Sequence, residues 1–581
     1  MGLQVSKMKN KNNRKVQSLL QLLLFAGVLL FLNILANARI NGKALYGYLD
    51  MTEEQRYTLT GATRNLLQGL DDVVYIKILL EGEFPAGFKR LQAATRDVLD
   101  DFRSASGYIE YEFEDPGAGT NEEINQRREQ LSKEGINPIN LRVKGVEGTS
   151  EKLIYPYAII YHKNRTFTVN LLENEVPGVP PEVTLNNSVG LLEYKLANAI
   201  QKLLLARKPS ILFSSGQGEL SPMETADLEK SLLEFYETGR VNLDSVVNIG
   251  KEAAALVIAK PTLPFSEKNK FKIDQYIMNG GKVLWLLDKV AVNLDSLRGR
   301  KSYYPNEYDL NLDDLLFKYG VRIQPDLVLD IQCSTVPLAT GMVGNAPQFD
   351  YFRYPYHLVV APQSDHPVVK SLGAVNLLYA SSIDTNVQTK TDVQKTVLLQ
   401  SSRNTRVQLI PMELNFDFLR YDLDPSKFNQ EPRVLAMALQ GVFPSMYENR
   451  VTDNMLEGLR QLGLAFRPQS LPAKMIVISD GDVAKNKINP RTQAISPLGY
   501  NEFDRYLFAN KDLLINALEY LLDDNGVIEA RGKEVRLRLL DTVKAKQEGA
   551  SWQLFNIGLP LAFLLLFALL YNWVRRRRFA R

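Results

Sequence analysis

Two short loops hold the residues of this 581-residue chain whose types and spacing could do chemistry. In Ser214–Glu219 (SSGQGE), Ser214 offers a hydroxyl, Gln217 an amide and Glu219 a carboxylate, while Gly216 and Gly218 let the backbone turn between them. In Asp480-Gly481-Asp482 two carboxylates stand close together, able to hold a sugar hydroxyl, a cation or a partner's Lys or Arg. Each loop follows a short apolar stretch that reads as a strand, Ser210–Phe213 or Met475–Ile478. The carboxyl ends of parallel strands are where open α/β sheets bind ligands. Ser214–Glu219 also precedes a segment that reads as a helix from Met223 to Glu237, whose free N–H groups would favour an anion or polar group. The plainer reading is that the glycines make tight turns while Glu219 and Asp482 cap helices.

Other chemistry finds little footing. There is no G-x-x-x-x-G-K-[ST], and Gly280-Gly281-Lys282 opens a strand, so ATP hydrolysis by a P-loop is excluded. No G-x-S-x-G elbow occurs. The three histidines, His162, His357 and His366, lack metal-ligand spacing and read as surface or packing residues. Cys333 is the single cysteine, which rules out an internal disulfide and reads as a small buried residue. Neither a catalytic residue, a metal site nor a cofactor is expected. Glu219, Asp480 and Asp482 would suit glycosidase chemistry only with two carboxyl groups about 5–10 Å apart.

The elements that must position these loops alternate between α and β. Asp72–Leu80, a helix at Pro85–Ser104 with Phe88, Leu91, Val98, Leu99 and Phe102 on one side, and Tyr108–Phe113 make a βαβ unit. That unit resembles a thioredoxin-like half without the C-x-x-C of a redox role. A polar helix at Glu122–Gly135, a hairpin at Tyr157–Leu171 turning at Lys163-Asn164, and a helix at Val189–Leu205 complete it. From Pro209, strands at Ser210–Phe213, Ala254–Ala259 and Lys282–Leu287 alternate with helices, the pattern of a doubly wound parallel sheet. Residues 326–468 break into short strands with Pro- and Gly-rich turns, a β-rich insertion or third unit. Lys511–Asp523 returns as a core-facing helix with Asn525-Gly526 as its C-cap.

Both ends of the chain are apolar. Ser18–Ala38 follows five cationic residues, and Leu554–Val574 precedes another five. At about 1.5 Å per residue each is roughly 30 Å long, enough to span a hydrocarbon core. Basic flanks place both tails in the cytoplasm. Ala36-Asn37-Ala38 also has the form of a signal-peptidase site, the competing reading of the first segment. The formal charge is +3, but taking ten tail cations from 69 Lys and Arg leaves 59 against 66 Asp and Glu. An outer region near −7 argues against a nucleic-acid partner. Asn33, Asn37, Asn556 and Gly558 could assist helix packing, with Tyr571 and Trp573 as interfacial anchors.

The SSGQGE loop, Val434–Arg450, Met475–Asn486 (MIVISDGDVAKN), Pro497–Tyr500 (PLGY) and Asn510–Asp541 together resemble the GldG family, the gliding-motility-associated auxiliary, or substrate-binding, component of a Bacteroidetes ABC transporter. The resemblance covers essentially the whole chain. That family usually shows His where this chain has Gln217. It implies a non-enzymatic inner-membrane subunit working with a separate permease and ATPase, and a central domain like the class I glutamine amidotransferase and GIFT-type α/β fold. No Cys occupies the strand-to-helix elbow, so amidotransferase chemistry is not carried over.

The expected organisation is a basic tail over 1–17, a transmembrane helix over 18–38 and a thioredoxin-like unit over 39–207. The doubly wound domain follows over 208–325, with the β-rich region over 326–468 and the sheet resumed over 469–530. A juxtamembrane segment over 531–553, a second transmembrane helix over 554–574 and a basic tail over 575–581 end it. The large region would be periplasmic, with Ser214, Gln217, Glu219, Asp480 and Asp482 as ligand- or partner-binding candidates. Alternatives are an ectodomain that binds or trims envelope saccharide, or a structural link from the inner membrane to motility or secretion proteins.

Overall fold

Ala253–Ala259 (AAALVIA) is apolar at almost every position because both of its faces are covered, as a parallel strand buried between helices requires. It lies between the parallel strands Ser210–Ser215 and Lys282–Leu286. The latter pairs in parallel with Ala473–Ile478, and Glu237–Asn242 closes the other edge. Alternate residues feed two cores. Val257, Leu284 and Ile476 face the helix Asn510–Leu522 through Leu514, Ala517 and Leu518. Leu256, Trp285 and Val477 face the helix Glu267–Met278 through Ile273 and Ile277. The computed structural model describes residues 20–33, 39–40, 43–44, 58–145, 148–173, 180–297, 300–344, 346–532 and 542–579. They fall in two compact units, Met1–Glu534 and Val535–Arg581.

Several elements differ from the sequence expectation. Ser210–Phe213 continues to Ser215, so Ser214 is a strand residue. The helix expected over Met223–Glu237 is confined to Ala226–Leu232. Arg240 reaches from the parallel edge strand to Glu229 in this helix at 2.6 Å. Val434–Gly441, assigned above to the β-rich region, is a strand of the main sheet, antiparallel to Ala473–Ile478. With Val393–Gln400, Ile383–Asp384 and Arg322–Ile323 it turns a parallel sheet into a mixed one of nine strands. What remains of the β-rich region is the pair Asp326–Asp330 with Thr405–Leu409 and the three-stranded sheet Cys333–Val343, Ala346–Val360 and Val375–Leu378. The Asn510–Leu522 helix ends at Asp523, whose N–H donates to Glu519 O at 2.8 Å, ahead of the expected Asn525-Gly526 cap, and whose carboxylate accepts the N–H groups of Asn525 and Ile528 in the chain beyond.

The amino-terminal part is a four-stranded sheet with Val74–Ile78 at its centre, parallel to Ile109–Phe113 and antiparallel to Tyr157–His162, which pairs with Arg165–Asn170. Phe88, Leu91, Leu99 and Phe102 of the helix Ala86–Ala105 are buried as their spacing requires. The last helix runs Pro181–Leu204 and so begins before Val189, since a proline at a helix start is already set for it. Among residues the sequence reading passed over are the helix Gly61–Gln68 and the hairpin Ile139–Gly145 with Gly148–Ile154.

One ionic seam joins this part to the central sheet. Glu519, on the core-facing helix, accepts from Lys202 Nζ at 2.5 Å, from Asn198 Nδ2 at 3.2 Å and from the Tyr194 hydroxyl, all on Pro181–Leu204. Burial acts to raise the Glu519 pKa, but Lys202 and the hydrogen bonds outweigh it and hold the pKa below the usual value. Val527, Ile528 and Ala530 then pack into the amino-terminal core.

The second unit contains the helix Thr542–Phe579, about 57 Å long at 1.5 Å per residue, with Pro560 inside it. Ser551–Arg578 is long and apolar enough to cross a membrane. Near the other end the described apolar helix is the shorter Leu20–Asn33. The rest of 18–38 and most of the 39–57 linker lie outside the described residues.

Glu519→Ala leaves Lys202 without its anion at the seam, a loss expected to cost about 3–5 kcal/mol in chemical denaturation. Hydrogen exchange should rise along Pro181–Leu204 before it rises in Ala253–Ala259.

Candidate functional site

Three adjacent parallel strands deliver charge to one point of the carboxyl edge. Lys260 follows Ala253–Ala259, Asp288 lies just beyond Lys282–Leu286, and Asp480 and Asp482 follow Ala473–Ile478. Backbone bonds fix the strand ends: Lys260 N donates to Leu286 O at 2.8 Å and Leu287 N to Ile478 O at 3.0 Å. Lys260 adopts a left-handed backbone conformation (φ +52°), which directs its side chain into the carboxylates. Its Nζ lies 3.0 Å from Asp288 Oδ2 and 2.5 Å from Asp482 Oδ2. Gly481 N donates to Asp288 Oδ1 at 2.5 Å. A Cβ on Gly481 would come within 2.6 Å of Lys260 Cβ and 3.0 Å of its Cα, so this close approach requires glycine.

Asp480 has no exposure. Its Oδ1 accepts from Asp482 N and its Oδ2 from Leu378 N, each at 2.7 Å. The second bond ties the β-rich region to the sheet edge. Burial, followed by the charges of Asp288 and Asp482, pushes the Asp480 pKa well up. Burial also raises Asp288, although Lys260 opposes it. For Lys260 burial alone would lower the pKa, but Asp288 and Asp482 more than reverse that. The cation that Asp480-Gly481-Asp482 could attract is therefore supplied by the chain itself.

The glycine loop is bound differently. Gln217 N donates to Glu219 Oε2 at 2.7 Å, and Gln217 Nε2 to Asp244 Oδ2 at 3.2 Å. Gln217 O accepts from Thr262 N and Leu263 N, both at 2.9 Å. Gly218 has φ +72° and lies so close to Thr262 that an added Cβ would overlap its hydroxyl. Ser214 and Gln217 are buried. Ser214 Oγ, Gln217 Oε1 and Glu219 Oε1 have no hydrogen-bond partner among the described residues. Three buried polar atoms at the end of this strand and on the loop after it thus lack a partner within the chain.

The structure brings Asp480 and Asp482 together with Lys260 and Asp288. Ser214, Gln217 and Glu219 sit on the neighbouring loop, which is tied to the end of Ala253–Ala259 through Leu220 N and Ala259 O at 3.0 Å. Lys260 was missed in the sequence, although a lysine directly after an uninterrupted apolar strand was the available sign. His357 packs edge-on to Tyr354 and Tyr379, and its burial pushes the imidazole pKa down to about 4. His162 is buried as well. Burial raises the Cys333 thiol to about 11, so it is not a nucleophile near neutrality.

Lys260→Met is expected to cost about 3–5 kcal/mol, because it leaves buried carboxylates uncompensated. Asp288 and Asp480 then bind protons in the folded state at pH values where the unfolded chain has released them, so stability falls as pH rises. Thermal melts should accordingly show a smaller deficit at pH 5 than at pH 8. Gly481→Ala should cost about 1–3 kcal/mol by overpacking against Lys260.

Similarity to known proteins accords with this layout. Residues 208–517, more than half of the chain, match the family described as an ABC-type uncharacterized transport system. Residues 53–161 match a domain of unknown function. An uncharacterized protein of Borreliella burgdorferi is 23% identical over 457 residues, covering 77% of this chain and 81% of its own length. Among solved structures, the mmIFT52 N-terminal domain matches at 13% identity with a TM-score of 0.29, over 54% of this chain and 96% of that one, a likeness that carries no argument. The family and the Ser551–Arg578 helix point to a membrane protein that associates with transporter components. By the extent of the match over 208–517, the chain belongs to the ABC-type uncharacterized transport system family.

Proposed function

We propose that this chain is a non-enzymatic accessory subunit of an inner-membrane ABC transporter, working beside a separate permease and a separate ATPase. The observation that carries this reading is the sealed sheet edge. Where an α/β enzyme would hold its substrate, Lys260 neutralises Asp288 and Asp482, and Asp480 is bonded on both oxygens and has no exposure. The missing P-loop fits a division of labour in which another chain hydrolyses ATP. The finer assignment follows the GldG resemblance: a gliding-motility transporter, two membrane spans, cytoplasmic termini and a periplasmic body.

Within the body, Ser214, Gln217 and Glu219 remain the proposed ligand- or partner-binding residues, and their three unpartnered atoms lie buried beneath the surface. Asp480 and Asp482 are proposed to position that edge from inside. Saccharide trimming gains no support from carboxylates committed to a lysine and to backbone N–H groups.

Affinity purification of the tagged full-length protein from native membranes in mild detergent should recover a permease and a P-loop ATPase as distinct chains. Recovery of envelope motility or secretion proteins without them would replace this reading with a structural link, and recovery of neither would remove it.

A further inference from the structure

A large open cavity lies at the opposite edge of the sheet. A groove of about 1380 Å³ runs along the amino ends of the parallel strands, with Pro209, Ala253 and Lys282 in its lining. It continues to the seam at Lys202 and Glu519. Its volume exceeds the roughly 300–1,000 Å³ of pockets that enclose a small ligand. The size and open course of the groove therefore suit a length of polypeptide.

The lining is apolar in the middle and cationic at the rim. One wall is the helix Asp453–Gln461, none of whose residues is buried. Its Met455 and Leu459, with Leu462 beyond, line the groove. Leu462 and Val247 are each 60% exposed, and Leu471 and Met455 are 45% and 44% exposed. An amphipathic helix normally buries its apolar stripe against another element, and here that stripe borders empty groove.

Charge selects the occupant. Every carboxylate in the lining is engaged: Glu519 by Lys202, Asp524 by Lys282, Glu267 by Lys270, Asp244 by Asn269 and Gln217, and Asp523 by backbone N–H groups. Lys251 and Lys268 line the same groove and have no acidic partner among the described residues. An apolar floor with uncommitted cations at its rim complements an apolar face flanked by acids.

We propose that this groove receives an amphipathic helix of a partner protein, its apolar face against Val247, Met455, Leu462 and Leu471 and its acidic flank toward Lys251 and Lys268. This mode of recognition is helix-in-groove binding. It is independent of the transporter assignment, since the groove selects a surface rather than a subunit.

The test uses the full-length protein in lipid nanodiscs and two fluorescein-labelled helical peptides with the same Leu/Ala face, one carrying Glu on its flanks and the other Lys. Anisotropy should show the Glu peptide binding and the Lys peptide at least tenfold weaker, with the difference shrinking in high salt. Leu462→Glu should weaken the Glu peptide tenfold or more. The double change Lys251→Glu with Lys268→Glu should weaken it similarly and admit the Lys peptide. These positions face solvent, so folding is not at stake, and circular dichroism checks it. No binding, equal binding of the two peptides, or binding unchanged in both variants overturns the proposal. Phosphatidylglycerol vesicles that displace the Glu peptide, by binding the same wild-type residues, would reassign the groove to lipid and also overturn it.

Discussion

The structure turns on a single buried ammonium group. Lys260 pairs with two carboxylates that leave the sheet on neighbouring strands, and burial and their charge raise the pKa of a third carboxyl behind them. Remove that cation and three acids share a dry strand edge. With it, the ends of Ala253–Ala259, Lys282–Leu286 and Ala473–Ile478 are fixed against one another. Leu378 N then donates to the other oxygen of Asp480 and so fastens the β-rich region. A buried pair of this kind is costly to form and costlier to break, so its contribution is better described as specificity of arrangement than as net stabilisation.

The two edges of the central sheet have opposite character. The carboxyl edge, used for chemistry in many α/β proteins, is filled by ion pairs, aromatic rings and an imidazole that burial keeps neutral at physiological pH. The amino edge carries the open groove and exposed apolar side chains. Between them the Glu519 seam locks the amino-terminal part to the core-facing helix. These features suit a body that is rigid inside and adhesive outside, in keeping with membership of a transport-system family.

Much of this was legible in the sequence, because burial writes itself into periodicity. Ala254–Ala259 follows from an unbroken apolar run, and the hairpin at Lys163-Asn164 and the core-facing stripe of Lys511–Asp523 from patterns of period 2 or 3.6. Val434–Gly441 did not reveal its sheet, since an apolar run carries no mark of its neighbour. Glu237–Asn242 (ETGRVN) is polar because it is an edge strand, and so beyond Glu237 it carried no strand signal. In the candidate site, Asp480, Asp482 and the glycine loop stood out by type. The commitment of Asp480-Gly481-Asp482 to Lys260, Asp288 and Leu378 depended on contacts between segments some 100 to 220 residues apart in the chain. No local pattern encodes such distances.

The place of Ala473–Ile478 has a further consequence for how the protein is made. It sits between Lys282–Leu286 on one side and Val434–Gly441 on the other, bonded to both. A strand in the middle of the sheet is thus synthesised after nearly all of its neighbours. Until it emerges, two sheet fragments present bare edges to each other and to the surrounding solution, where unpaired strands invite wrong pairing. The Lys260 cluster is likewise incomplete, as two of its three acids arrive with the same segment. One segment, 473–482, therefore supplies both the missing strand and the counter-charges of Lys260, and the helix Asn510–Leu522 that covers one core comes after it in the chain.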